Sequence, residues 1–240
     1  MNARCKFWLI TFFAVLTVAV TLALGRWQLS RAAEKEALQA SMDAQAKRPN
    51  LAGLTLATLV DPITELHRGV ALRGRWLAPH TVFLDNRQMN NKPGLYVVTP
   101  MTLEGTSTVV VVQRGWVARN FIDRTQVPPI ETPTGVVEIE GRIVPPPSKL
   151  YEFGKPEAGR IRQNLDMARF SAELGLPLLG VSVQQVGAVS DGLLREWPLV
   201  GTGVEKHYGY AFQWFALSAL TAILYVWFQI VRRFILPRRL

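Results

Sequence analysis

A single cysteine, Cys5, is all the thiol chemistry in 240 residues, so an intramolecular disulfide and every Cys-based zinc pattern are excluded. Histidine is nearly as scarce, with only His67, His80 and His207. The chain has no GxSxG, HExxH, GxGxxG or P-loop. His80 and Asp85 lie close enough in sequence to pair, but no serine stands in an elbow context beside them, and no catalytic set assembles. The chain therefore reads as a non-enzyme. Acidic residues are few as well, 18 against 27 Lys+Arg. Six of the basic residues (Arg4, Lys6, Arg232, Arg233, Arg238 and Arg239) crowd the two ends, and without them 21 basic face 18 acidic residues. The interior thus lacks the basic patch that a nucleic-acid partner needs.

Two long apolar runs remain. Phe7 to Leu24 gives 18 uncharged residues, about 27 Å as a helix, and Tyr208 to Val231 gives 24, about 36 Å. Between them the longest apolar run is Val109 to Val112, a buried-strand candidate. A cleaved signal peptide is the competing reading of the first run. Its length and the absence of a small-x-small site at Leu22-Ala23-Leu24-Gly25 favour a retained anchor. Neither run carries a charge or a histidine in its middle, which argues against a proton or ion path. The cationic flanks place both termini on the cytoplasmic side of a lipid bilayer. The expected division is a cytoplasmic start (1–6), a first span (7–25), an extracytoplasmic domain (26–207), a second span (208–231) and a basic tail (232–240). Cys5 then sits at the cytoplasmic mouth as a small interfacial residue.

The enclosed domain reads as β-rich with a few peripheral helices, so the fold class is an α+β membrane protein with two flanking transmembrane helices. Helix-forming residues continue from Arg26 to about Ala46, ahead of Pro49. A second helix is expected over Leu56 to Leu66, kinked or restarted at Pro62. Strands are expected at Val70–Trp76, Thr81–Leu84, Leu95–Leu103, Thr108–Val117, Gly135–Val144 and Gly180–Val186. The turns between them fall at Asn90 to Gly94 and Glu104-Gly105-Thr106, and Pro145-Pro146-Pro147 ends the fifth strand. Asp166 caps a short helix, MARFSAEL, that Gly175 stops. No repeat of 20 to 50 residues is present.

His67 and His80 read as surface caps, whereas His207 immediately precedes the second run. At 3.6 residues per turn His207, Tyr210, Ala211 and Trp214 share one helix face. An imidazole above a small alanine and flat aromatics suits a planar apolar cofactor such as haem, with His207 as the axial iron ligand. The same residues also suit an interfacial aromatic belt that only sets helix depth. Arg26 and Trp27 occupy the matching edge of the first run. Arg26, Arg31 and Lys206 either meet anionic groups such as propionates near His207 or snorkel to lipid headgroups.

Several blocks in order resemble the Surfeit-locus-protein-one family of cytochrome c oxidase assembly factors. They are Gly25-Arg26-Trp27-Gln28-Leu29 with Arg31 and Lys35, Arg73-Gly74-Arg75-Trp76, Pro93 to Pro100, Val112 to Val117, Trp197-Pro198 and His207 to Trp214. The resemblance covers nearly the whole chain. It implies a membrane-bound assembly factor that binds haem a transiently and aids its insertion into oxidase subunit I, with haem a synthase as a second partner. The family's haem-linked histidine matches His207 and its second-span tryptophan matches Trp214. Where relatives often place asparagines before that histidine, this chain has Glu205-Lys206, which leaves the partner of the imidazole to be found. With no Arg/Ser-rich presequence before Phe7, the expected location is a bacterial inner membrane. The alternative is a membrane-anchored scaffold that stabilises a nascent oxidase subunit without haem, its contact being an exposed strand end at Arg114-Gly115-Trp116.

Overall fold

The computed structural model describes residues 2–151, 159–188, 191–198 and 203–235. The chain divides into two compact units, one formed by residues 1–40 with 199–240 and the other by Ser41–Pro198. Of the end cations, Arg238 and Arg239 lie outside the described residues.

The first unit is a helix pair. Helix α1 runs from Ala3 to Ala46 without a break. Helix α4 covers Val204–Tyr225 and passes into a π-helix over Val226–Ile235. Both are long and apolar enough to cross a membrane. The stretch 26–40, although it follows the apolar run, belongs to this helical unit. Along α1, up to Ala32, the less exposed positions Phe7, Thr11, Ala14, Val18, Thr21, Gly25, Gln28 and Ala32 form a series in steps of four and three residues, with Leu24 beside it. Along α4 Val204, His207, Ala211, Trp214, Ser218, Thr221 and Tyr225 form a series in the same steps, with Phe215 and Ala222 also less exposed beside it. A seven-residue repeat keeps one seam of each helix turned to its neighbour. Thr11 meets Tyr225 (2.9 Å between hydroxyls), Ser218 donates to the Val18 carbonyl at 3.5 Å, and Gln28 meets His207. The pair is therefore antiparallel. Small seam residues let the backbones approach, as membrane helices favour. At Gly25 an added Cβ would lie 2.7 Å from the Phe215 ring.

The second unit is the β-rich one. Its elements are β1 (Leu51–Ala52), α2 (Gly53–Thr58), β2 (Gly69–Trp76), β3 (Val82–Met89), β4 (Lys92–Leu103), β5 (Val109–Ala118), β6 (Val136–Val144), β7 (Ile161–Arg162), α3 (Met167–Leu174) and β8 (Leu178–Gln185). The expected Leu56–Leu66 helix is instead α2 followed by a 3-10 turn at Pro62–Glu65. Asp61 opens that turn by accepting from the Ile63 amide, and Pro62 has no amide to continue a longer helix. The turn expected across residues 90–94 narrows to Asn90 and Asn91, both left-handed (φ 52° and 60°), and Lys92 already begins β4. Helix α3 stands where the sequence put it, capped by Asp166 and ended by left-handed Gly175.

Strand order is β1-β2-β6-β8-β5-β4-β3-β7, with an additional β2–β4 pairing. That extra pairing closes β2, β6, β8, β5 and β4 into a five-stranded barrel. Only β5–β8 is parallel among the barrel pairs. Gly74 sits where β2 leaves β6 for β4, and a Cβ there would lie 2.3 Å from the Thr102 carbonyl. Val70, Leu72, Met101, Leu103, Val110, Val112, Ile139 and Val183 fill the interior. Val111 faces the other way, into a layer with Val82, Leu84, Val98, Leu165 and Phe170 that α3 covers. Residues 109–112 are apolar without alternation because both faces of β5 are buried.

A further expectation is corrected. Arg114-Gly115-Trp116 is not an exposed strand end: Arg114 is 2 % exposed and Trp116 is 4 % exposed. The register of β5 against β4 jumps from Gln113 to Gly115, so Arg114 is a bulge residue turned out of the ladder. Its guanidinium donates to Asp191 (2.9 Å), Thr132 Oγ1 and the Glu131 carbonyl (both 2.7 Å), and lies 4.9 Å from the centre of the Trp76 ring. Burial pushes its pKa down, and hydrogen bonding and charge from Asp191 oppose that. Trp116 Nε1 donates to the Arg87 carbonyl at 2.9 Å. The His80–Asp85 pairing that the sequence allowed does not form either. Asp85 instead bridges to Arg119 at 2.9 Å, because the bulge in β3 between Leu84 and Arg87 re-aims it, and His80 is exposed.

Candidate functional site

His207 lies on the first turn of α4, on the seam that faces α1, and is half-buried. Its Nδ1 is 2.7 Å from Gln28 Oε1. A carboxamide oxygen only accepts, so Nδ1 is the donor in this contact, and in a neutral imidazole Nε2 then carries the lone pair. This is the arrangement that metal-binding imidazoles use, one nitrogen oriented by a carbonyl-type acceptor and the other available. Ala211 follows one turn on and is buried, and half-buried Trp214 comes next along the seam. Gly25 and Gln28 stand opposite on α1, one turn apart.

The structure thus brings His207, Trp214 and Gln28 onto one seam. The other sequence candidates are elsewhere on the helices. Tyr210 is 52 % exposed, Trp27 is 55 % exposed, and Arg26 is exposed beside it. Arg31 pairs with Glu34 on its own helix, and the Tyr208 hydroxyl donates to Glu36 at 2.8 Å, a second hydrogen bond between the helices near His207. Among the described residues no group of three or more His, Cys, Asp or Glu side chains is placed to hold a metal ion. Sequence reasoning missed Gln28 as the partner of His207 although it stood inside the quoted Gly25–Leu29 block. The four-and-three spacing of both seams was the signal that could have found it.

A sequence model described as the SURF1 family matches residues 15–219. The chain belongs to the SURF1 family. Curated relatives agree over most of their length. A SURF1-like protein of Drosophila melanogaster is 29 % identical over 247 residues, covering 92 % of this chain and 78 % of the relative. SURF1-like proteins of Rickettsia conorii and Rickettsia felis are each 29 % identical, covering 90 % and 88 % of this chain and 89 % and 93 % of theirs. The SURF1 family is known for cytochrome oxidase assembly factors and is not a known enzyme family. Its sequence blocks have packing reasons in this chain. Gly94 leaves room for Trp116 (an added Cβ would lie 2.4 Å from the indole), and Gly115 leaves room for Leu193 at 2.6 Å. Trp197 donates from Nε1 to the Gln185 carbonyl at 2.8 Å and meets Tyr96 edge-on at 5.1 Å.

Proposed function

We propose that this SURF1 family member is an inner-membrane protein whose two long helices cross the bilayer with both termini cytoplasmic. In this reading it holds haem a transiently at His207 and helps deliver it to oxidase subunit I, within reach of haem a synthase. The reading rests on one observation, the Nδ1–H of His207 donating to Gln28 while Nε2 is left as the electron-pair donor. Haem a, when bound, supplies iron with an open coordination position and an isoprenoid tail that keeps it at bilayer depth. The chain's own part is to present Nε2 from the end of a helix pair, on the seam that also carries Ala211 and Trp214. Tyr210, Arg26 and Trp27 flank that end, the arginine suited to a propionate. A single imidazole ligand favours release, because no second protein bond has to break. The test is the absorption spectrum of the full chain purified from cells that make haem a. Wild type carries a haem Soret band and His207→Ala loses it, together with oxidase assembly.

A second reading is a scaffold that clasps a nascent subunit without haem. Adjacent Phe121 and Ile122, 71 % and 99 % exposed, favour it as a contact in place of Arg114–Trp116. Asn120 Oδ1 accepts from the amides of Ile122 and Asp123 and holds this tip in shape. Colourless protein from the same cells, with assembly intact in His207→Ala, selects the scaffold.

A further inference from the structure

At the other end of the helix pair, the first turns of α1 and the π-wound end of α4 enclose a groove of about 300 Å³. It is lined by Ile10, Ala14, Thr221, Leu224, Tyr225, Phe228 and Gln229. The volume is at the lower edge of ligand-pocket size. Its polar atoms are mostly spent inside the protein. The Tyr225 hydroxyl donates to Thr11 Oγ1 (2.9 Å), Thr11 donates to the Phe7 carbonyl (2.9 Å), and Thr221 donates to the Leu217 carbonyl (2.8 Å). The surface offered is therefore hydrocarbon, with the Gln229 amide among its lining.

The chain around this groove is charged with one sign only. Residues 2–33 and 206–235 contain no Asp or Glu. Arg4, Lys6, Arg232 and Arg233 are all exposed. Lys6 precedes Ile10 by four residues, about 6 Å along the helix. The Arg232 guanidinium lies over the Phe228 ring (5.9 Å) and that of Arg233 over Phe7 of the opposite helix (5.0 Å). The regular seam ends at Tyr225, where the wind changes to i→i+5 over ten residues. Such π segments are uncommon and occur mostly at working sites.

We propose that this end of the helix pair is a binding site for one anionic phospholipid of the cytoplasmic leaflet. One acyl chain lies in the groove, and the phosphate is held by Arg4, Lys6, Arg232 and Arg233. The proposal rests on the membrane-spanning reading above, and it is independent of haem. Charge complementarity selects the occupant: a neutral lipid or a free isoprenoid chain would fill the groove and bring no anion to the exposed cations around it, whereas basic pockets between helices on the cytoplasmic side suit anionic headgroups.

The test uses the full chain reconstituted in vesicles of equimolar phosphatidylglycerol and phosphatidylcholine. Lipid retained after mild detergent extraction is counted by native mass spectrometry. Wild type retains one phosphatidylglycerol in at least about fivefold preference, the partition worth of a single basic side chain near an anionic surface. Arg232→Gln with Arg233→Gln lowers that retention at least about fivefold. Ala14→Phe, or Thr221→Phe from the other helix if the first variant loses helicity by circular dichroism, fills the groove and abolishes it. No preference in wild type overturns the proposal. So does a preference that the charge variant removes and both groove variants keep, which is diffuse attraction. Flotation of wild type with the vesicles separates the two readings. A chain that does not float sinks the span and the site together, and one that floats without retaining the anionic lipid sinks the site alone.

Discussion

Replacing Gln28 by leucine removes the acceptor that meets His207 Nδ1 and leaves the imidazole in place. A neutral hydrogen bond contributes about 0.5–1.5 kcal/mol net, and interhelical ones in membranes average about 0.6 kcal/mol. Through orientation alone that is about a two- to twelvefold loss in haem affinity, at 1.4 kcal/mol per tenfold. The tautomer adds to it, because a freed ring also populates the form with its proton on Nε2, which cannot ligate iron. Partners of this kind cost about 10–100-fold when removed, so Gln28→Leu should weaken haem a binding about tenfold or somewhat more. Gln28→Glu keeps an acceptor and makes it anionic, which should restore affinity and lower the haem midpoint potential by making the imidazole a stronger donor. The assay is a Soret-band titration of the full chain with haem a, with potentiometry on the glutamate variant. If Gln28→Leu titrates like wild type while His207→Ala does not bind, Gln28 is only a link between the helices. A loss far above 100-fold would mean that the helix pair itself had parted.

Gly25→Ala should destabilise the helix pair by about 1–3 kcal/mol, since its Cβ meets the Phe215 ring at 2.7 Å. Adding Phe215→Ala should recover most of that loss in thermal melts in detergent. Gly94→Ala should lower the urea midpoint by a similar or larger amount, because its Cβ meets Trp116 at 2.4 Å and the Val117 carbonyl at 2.3 Å, with backbone on one side. Asp191→Ala strands two buried guanidinium groups, Arg114 and Arg195, and should cost about 3–5 kcal/mol, whereas Arg114→Met, which leaves Asp191 its ion pair with Arg195, should cost less. Equilibrium unfolding of both variants reads that contrast. Burial, and then the charge of Arg142, hold the His67 pKa below its ordinary 6.5, so the unfolded chain binds that proton more readily. Its contribution to stability is complete above about pH 6.5 and declines as pH falls toward the folded-state value. The hydrogen bond from Arg68 holds Glu65 below its ordinary 4.5, so its contribution is complete above about pH 4.5 and declines on further acidification. His67→Asn, which tolerates the left-handed backbone at φ 71°, should erase the first decline in urea midpoints measured from pH 7.5 to 5.

Much of the β-unit was legible because its signals are local. Asp166 and Gly175 bracket α3, Asn90-Asn91 makes a tight hairpin turn, and β-branched runs mark β5 and β6. Barrel closure was not legible, because it depends on β2 changing partners at Gly74, a pairing across about thirty residues that leaves only a glycine in the sequence. The burial of Arg114 was missed for a related reason. A bulge turns one side chain out of the alternating pattern, and its acid arrives from Asp191, 77 residues later. Read one strand at a time, an arginine next to a tryptophan resembles a surface.

The site shows the same division between local and distant information. His207 was found from its position before an apolar run and from resemblance, both properties of α4 alone. Its partner lies 179 residues earlier, and looking for a partner among its neighbours led only to Glu205 and Lys206. The distance disappears once both helices are laid out in steps of four and three. In an antiparallel pair, seam positions that meet have nearly constant index sums, so Thr11 with Tyr225 and Val18 with Ser218 fix the register. That register puts Gln28 opposite His207 without reference to chemistry. Two polar side chains sharing one level of the seam satisfy one another, as Thr11 and Tyr225 do at its other end. Gln28 therefore gives the imidazole its partner on the seam, and the single nitrogen it leaves uncommitted is what makes His207 a candidate iron ligand and distinguishes it from a residue that only holds the helices together.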